Sequence, residues 1–339
     1  MCFAQLTYRD SLRAMQTKLY HIGLRSKISK STIADANESR NWRIFADFCH
    51  YLIGWAEKLY HDDKSFTLEL KNAVYAIDST TIDLCLSLFP WAKFRKHKGA
   101  IKLHTQFNLK TLLPKEIEIT DGLCHDVNIL DLIMFELNSI YVLDRGYIDF
   151  KRLHRIHAAN AYFITRAKKN LQFKRIISNV VDKTTGVRCD QVIKLSGKVV
   201  FKDYPDRLRR VKYYDQENKR IFVYLTNHLE LAPEIIAELY KNRWKIELFF
   251  KWIKQHLKIK AFYGTSVNAV FTQIWIAISA YVLVAIVKKL LNLEQSLYTI
   301  LQIISVSLFE KNQLNQVFLN SNYTFSDHVT DKQLILFDL

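Results

Sequence analysis

The chain has 339 residues, 49% hydrophobic, 13% aromatic and 24% charged, with only 8 glycines and 4 prolines. That composition supports one large domain with an insertion or two small domains, and it excludes a low-complexity or linker-rich chain. Its 49 Lys and Arg against 33 Asp and Glu leave a formal charge of +16 and a pI near 9.5. A surplus of that size points to a polyanionic partner, nucleic acid ahead of anionic membrane, with a merely basic soluble protein as the plainer alternative. Five scattered cysteines (Cys2, Cys49, Cys85, Cys124 and Cys189) with no C-x-x-C pair argue against a disulfide framework or structural zinc, and fit a reducing cytoplasm. Met1 leads into neither a basic n-region nor a long apolar run, so no signal peptide is expected.

Residues 1–70 read as helical. Leu12, Met15 and Leu19 recur at helical spacing. Ser29-Lys30-Ser31-Thr32 offers N-cap residues before a helix through Ala34, Ala36 and Asn37. A second helix is expected from Trp42 to Leu59, with Ile44, Phe48, Tyr51, Leu52 and Trp55 on one face. Met1 to Leu6 already reads as the interior of a helix, so further chain is expected upstream.

From about residue 72 the texture changes to strands. Ala73-Val74-Tyr75-Ala76-Ile77-Asp78 is a short apolar run ending in an acid. Alternation over Ile101 to Leu109 and over Glu116 to Thr120 then predicts an antiparallel meander. A helix is expected around Val127 to Leu137. Ser139-Ile140-Tyr141-Val142-Leu143-Asp144 follows as a second apolar strand ending in an acid, then a helix over Asp149 to Ala161 and a strand over Tyr162 to Thr165. Packing alone explains two strand-end carboxylates poorly, because a buried charge needs a partner.

Residues 168 to about 228 are polar and strand-rich. Val199-Val200-Phe201, Arg210 to Tyr214 and Arg220 to Leu225 are the expected strands, with Asp215 to Asn218 as a hairpin loop between the last two. They read as an insertion, not a new domain, because the helical segment beyond them carries another acid. The apolar run Ile274 to Val287 is fourteen residues long, too short to span a bilayer, and reads as a buried core helix.

A helix is expected from Pro233 to Lys258. At roughly 100 degrees per residue, Tyr240, Arg243, Glu247, Lys251, Lys254 and Lys258 share one face, turned away from the core. Phe249, Trp252, Ile253 and Leu257 take the buried side. Glu247 is the only acid between Glu238 and Glu294. Its plain reading is an i, i+4 ion pair with Arg243 or Lys251, worth a few tenths of a kcal/mol. Joined to Asp78 and Asp144, it suits a two-metal phosphoryl-transfer site: Mg²⁺ takes oxygen ligands, and two ions about 3.5–4 Å apart serve the attacking and leaving oxygens. The neighbouring cations would grip the phosphodiester backbone.

Tyr240-x2-Arg243-x3-Glu247-x6-Lys254, in the context YKNRWKIELFFKWIKQHLKIK, resembles the YREK signature of bacterial insertion-sequence DDE transposases of the insertion-sequence-4 type. Ile77-Asp78-Ser79-Thr80 resembles the first-acid motif of that family and Leu143-Asp144-Arg145-Gly146-Tyr147 the second. The resemblance extends from SKSTIADANESRNWRIFADF to FYGTSVNAVFTQIWIAISAYVLVAIVKK. It implies an α/β fold, an RNase H-like mixed sheet flanked by helices. A helical DNA-end-binding region over 1–70 would precede a catalytic domain over 71–339, with a β-strand-rich insertion at about 168–228. Relatives usually carry a further N-terminal helical segment, which helps bind transposon ends.

The same resemblance makes Asp78, Asp144 and Glu247 the catalytic residues and the ligands of two Mg²⁺ ions, with Mn²⁺ able to substitute. Tyr240, Arg243 and Lys254 would hold phosphates of the DNA end, and Trp244 would stack on a flipped base. The implied activity is cleavage of transposon ends and strand transfer into target DNA, by cut-and-paste through hairpin ends. The implied partners are double-stranded terminal inverted repeats and target DNA, bound by a homodimer in the bacterial cytoplasm at the nucleoid, with no membrane. The competing readings are an RNase H-like nuclease without strand transfer and a transposase-derived DNA-binding protein without catalysis.

Three other features stand out. His125-Asp126 reads as loop structure more readily than as a metal pair. Asp83 is expected on the opposite face of its strand from Asp78. His97 and His104 lie among Lys93, Arg95, Lys96, Lys98 and Lys102, as a DNA-facing basic patch or a solvated charge run.

Overall fold

A computed structural model describes residues 29–61, 68, 70–257, 259, 262–307 and 313–321. Leu12, Met15, Leu19 and Lys258 lie outside the described residues. Helix α1 (Lys30–Ser39) begins where the Ser29 side chain accepts a hydrogen bond from the Thr32 N–H. Helix α2 (Arg43–Tyr60) buries Ala46, Cys49, Leu52, Ile53 and Ala56. Of the face read from the sequence, only Leu52 is buried, while Ile44, Phe48, Tyr51 and Trp55 are exposed. Ala46, Cys49, Leu52, Ile53 and Ala56 form the contact face, with Phe45, Leu59 and Tyr60 packed at its edge. That face packs on the apolar helix α7 (Val267–Leu290), and α2 therefore shares the main core with the strands that follow.

Among the described residues, ten strands form one sheet: β1 (Val74–Leu84), β2 (Lys93–Arg95), β3 (Lys98–Asn108), β4 (Leu113–Asp121), β5 (Ile140–Leu143), β6 (Tyr162–Arg166), β7 (Phe173–Asn179), β8 (Val187–Leu195), β9 (Leu208–Asp215) and β10 (Arg220–Thr226). The order is β2-β3-β1-β5-β6-β10-β9-β8-β7, with β4 also paired to β3. β1, β5 and β6 run parallel, and β1, β3 and β4 form the antiparallel meander. An antiparallel β4-β3-β1 unit joined to parallel β5 and β6 is the RNase H-like arrangement. The strand-rich stretch at 168–228 does not form a separate layer, because β10 pairs antiparallel with β6 and carries the sheet outward.

Both faces of the sheet are covered, so successive residues of the central strands enter different cores. Val74, Ala76, Ile140, Val142 and Ile164 join the core under α2, α7 and the helices α5 (Pro233–Asn242) and α6 (Trp244–His256). Tyr75, Ile77, Tyr141, Leu143 and Phe163 join the other, under α3 (Phe150–Ala158).

Several expected elements differ. The expected Val127–Leu137 helix is a 3₁₀ turn over Asp126–Asp131, in which Ile129 and Leu130 are buried, while Leu132, Met134 and Leu137 beyond it are exposed. Val199-Val200-Phe201 belongs to the short helix α4 (Lys198–Asp203), where Val200 packs on the second core and that tertiary contact overrides β-branched preference. The Pro233–Lys258 helix is broken at Arg243, where the Arg243 N–H turns to the Tyr240 carbonyl at 3.2 Å and Ile246 N–H to the Arg243 carbonyl at 3.1 Å. Helix α7 has 24 residues, not fourteen, and is long and apolar enough to cross a membrane; 72% of its most apolar window is buried inside the protein. Burial therefore carries the core-helix reading, where the argument from length does not. Helices α8 (Leu297–Ser307) and α9 (Leu314–Ser321) close a small satellite core around Ile300 and Phe318.

Candidate active site

Asp78 is not at a strand end, since β1 runs on to Leu84, but it is where β1 loses its parallel neighbour. The last β1–β5 pair is Ile77 with Leu143, and Asp78 and Asp144 follow side by side. Both share the parity of Val74, Ala76, Ile140 and Val142, so strand alternation sends them to the face that carries α5 and α6. Asp144 then caps a 3₁₀ turn over Arg145–Tyr147, accepting the Gly146 N–H at 3.3 Å.

The break at Arg243 aims the signature residues at these acids. Arg243 Nη1 donates to Asp78 Oδ2 at 2.7 Å and Nη2 to Glu247 Oε1 at 2.5 Å. Tyr240 donates its hydroxyl to Asp144 Oδ1 at 3.3 Å, and Lys254 Nζ donates to the Thr81 carbonyl at 2.8 Å. The stripe expected to face away from the core thus begins inside it: Tyr240 is buried and Arg243 nearly so. The i, i+4 pair of Glu247 with Arg243 exists, but the same guanidinium spans to a strand 165 positions away in sequence. Trp244 is 58% exposed and Leu248, one turn on, 48%. Lys251 is exposed.

Burial pushes the Asp78 carboxyl up to about 6 despite Arg243 and the Ser79 N–H, and the nearby Glu247 and Asp144 charges push the same way. Burial acts on Asp144 too, but the N–H groups of Arg145 and Gly146 and the guanidinia of Arg243 and Arg166 outweigh it and hold Asp144 below the usual carboxylate range. Two neighbouring acids are therefore driven apart, as at many catalytic sites. The donors are all oxygen, half-buried and carry excess negative charge, which fits a hard divalent cation. As they stand, no three His, Cys, Asp or Glu side chains among the described residues are gathered closely enough to hold one ion. The Arg243 guanidinium joins Asp78 to Glu247 instead.

Sequence reasoning missed Arg166. It ends β6, the third parallel strand, with its guanidinium 5.5 Å from the Phe222 ring and 6.0 Å from the Tyr240 ring, and its charge lowers Asp144. The signal was present: a cation two residues past Ile164, at the carboxyl edge of a parallel strand where open α/β sheets place their sites. The basic stretch at 93–104 divides. Lys93, Arg95, Lys96, His97 and Lys98 are exposed, whereas His104 is buried against Thr120 and Lys102 turns inward to Asp126. Asp83 is exposed, on the opposite side of β1 from Asp78. His125 is exposed too, and Asp126 starts the 3₁₀ turn.

The RNase H-like sheet thus brings Asp78 of β1, Asp144 just past β5 and Glu247 of α6 to one edge. The chain belongs to the transposase DDE domain family, whose model matches residues 69–283, more than half its length. It is 32% identical to a putative transposase of Sinorhizobium fredii over 83% of this chain and 78% of that protein. It is 29% identical to a probable transposase for an insertion sequence element of Geobacillus stearothermophilus, over 64% of this chain and 57% of that protein. Among solved structures, a chain of a piggyBac transposase synaptic complex with hairpin DNA aligns with a TM-score of 0.48 at 11% identity, covering 76% of this chain and 56% of that one. The protein is a DNA-binding, DNA-cutting and strand-transferring enzyme of the bacterial insertion-sequence type, and divalent-metal dependence goes with its family.

Proposed function

We propose that Asp78, Asp144 and Glu247 hold two Mg²⁺ ions, with Mn²⁺ able to replace them, and that the substrates are the terminal inverted repeats of an insertion element and its target DNA. The observation that carries this reading is the Arg243 bridge, which draws acids from a strand and a helix onto one guanidinium beside Asp144. When bound, paired divalent ions activate the attacking oxygen and stabilise the leaving one in an in-line displacement.

The chain's own residues do the rest. Tyr240 orients Asp144 through Oδ1, and the Gly146 N–H holds Oδ2. Arg243, fixed between Asp78 and Glu247, sets its guanidinium beside the acids, where it would meet a phosphate of the DNA end. Lys254, one face of α6 further on, supplies a second cation for the end's backbone. Trp244, exposed beside them, is the platform for a base flipped from the end while the strand folds into a hairpin. Two copies on DNA would present two such sites to a pair of ends, in the cytoplasm and apart from any membrane.

The test is to incubate the protein with labelled ends from its own flanking DNA, plus Mg²⁺ and a target plasmid. Nicked, hairpin and joined products are expected in that order. Binding without metal-dependent cleavage would reduce the protein to a DNA-binding derivative, and cleavage without joining would make it a nuclease.

A further inference from the structure

From Asp78 onward, β1 keeps only β3 as a strand neighbour among the described residues, because its pairing with β5 stops at Ile77. Ser79 has the parity of Tyr75 and Ile77 and so meets the face opposite α6. There its hydroxyl donates to Asp126 Oδ1 at 2.8 Å, while its peptide N–H donates to Asp78 Oδ1 at 2.9 Å. Asp126 Oδ1 also receives Lys102 Nζ at 3.0 Å, and Lys102, only 13% exposed, donates again to the Cys124 carbonyl at 2.7 Å. His104 lies directly across from Ser79 in the β3 register, but burial pushes its imidazole down to about 4, so the cation that faces Asp126 is Lys102.

We propose that Asp126 is a positioning residue for the transposition chemistry, fixing the Asp78 carboxylate from behind the sheet through Ser79, with Lys102 fixing Asp126 in turn. The relay runs from Lys102 to Asp126, to the Ser79 hydroxyl, and by the Ser79 N–H to the carboxylate oxygen that is not paired with Arg243. One oxygen of Asp78 is thereby held by Arg243 and the other by the Ser79 N–H, and its orientation is set before any ligand arrives. Outer groups of this kind hold metal-binding carboxylates in place, and losing one typically weakens metal binding by about 10- to 100-fold. The bland alternative is an ion pair that only ties the Asp126–Asp131 turn to the sheet.

The inference rests on Asp78 being a metal ligand, and the experiment separates the two claims. Mn²⁺ is titrated into the full chain bound to a pre-cleaved end duplex, and free Mn²⁺ is read by electron paramagnetic resonance. Ser79→Ala and Asp126→Ala are each expected to weaken Mn²⁺ binding about tenfold. Ser79→Thr should restore the wild-type value, since it keeps the hydroxyl and suits a strand. The double variant should bind no more weakly than either single variant, because both cut one relay. End-DNA affinity in EDTA should be unchanged throughout. Ser79→Ala carries the test by itself if Asp126→Ala does not fold. Wild-type Mn²⁺ affinity in Ser79→Ala, or losses that multiply in the double variant, overturns the relay. Asp78→Ala in the same assay reports on the metal-ligand reading: unchanged affinity there overturns both claims, and weakened affinity there with a normal Ser79→Ala overturns the relay alone.

Discussion

Arg209, in the insertion, and Arg243, at the break between α5 and α6, are both shielded from solvent and both meet carboxylates. Arg209 forms a two-bond fork with Asp190, 2.8 Å on each arm, and spends Nη1 on carbonyls of the Leu229–Leu231 loop; Asn179 completes Asp190 at 3.0 Å. Arg243 is divided between Asp78 and Glu247, with Asp144 close by and one acid pushed up to about 6. A cation matched by one carboxylate holds a fold together, whereas a cation outnumbered by acids leaves their charge uncompensated, as catalytic sites often do.

The largest effects are expected at the acids. Asp144→Ala and Glu247→Ala should each lower end cleavage at least about a thousandfold, on the order of 4 kcal/mol of barrier, with DNA binding and melting temperature close to wild type. A gel-based cleavage assay beside a thermal melt decides it; an Asp144→Ala variant that cleaves normally removes this site from consideration. Arg209→Ala should do the reverse. It strands a buried Asp190 and should cost about 3–5 kcal/mol in urea unfolding, by a route that has nothing to do with chemistry.

Acidity sharpens the contrast, because the two regions respond with opposite sign. Burial raises Asp190 but the Arg209 and Asn179 bonds outweigh it, so its pKa is depressed; the stability it adds is present at neutral pH and is lost as pH falls below the usual carboxylate range. Asp78 is raised from 3.8 to about 6, so its contribution is greatest below the unfolded value and fades as pH rises through about 6. In EDTA, wild-type stability should therefore fall by on the order of 2 kcal/mol more between pH 4 and 7 than that of Asp78→Asn. Parallel stability curves for the two proteins would show that Asp78 is not perturbed. The smallest effect is expected at Trp244: since it is exposed, Trp244→Ala should shift stability by no more than about 0.5 kcal/mol. The same variant should keep first-strand nicking and selectively lose hairpin product, with an abasic end restoring part of it. Joint loss of nicking and stability would make Trp244 a packing residue.

The sequence carried the central strands and their acids well, because alternating cores leave a two-residue rhythm that Val74, Ala76 and Asp78 share. It carried less where tertiary contact overrules local preference. Val199 and Val200 favour a strand by branching, yet the chain turns helical to dock Val200. Nothing in Arg243 as a residue type announces a helix break, since arginine is a good helix former. The break serves contacts with Asp78 that only the folded sheet provides. Lys102 and His104 belonged to a basic run on paper, and their inward turn depends on Asp126 and Thr120, each brought up by chain on the far side of a turn. Asp126 itself looked like loop punctuation because its partners, Ser79 and Lys102, are remote in sequence.

The packing of α2 on α7 sets the order in which a newly made chain can fold. Ring contact of His50 with Trp275 at 5.1 Å and the Tyr60 hydroxyl on the Ala285 carbonyl at 2.9 Å join segments roughly two hundred residues apart. At 5–20 residues per second of synthesis, the apolar face of α2 waits about 10–40 s for its partner to leave the ribosome. Cys49, Leu52, Ile53 and Ala56 stay open to solvent, chaperones or proteases for that interval. Protease treatment of stalled nascent chains should cut α2 in those ending before Val267 and spare it once Leu290 has emerged. A message cut short thus yields a chain with its core unclosed, and catalysis is tied to complete translation through the last long helix.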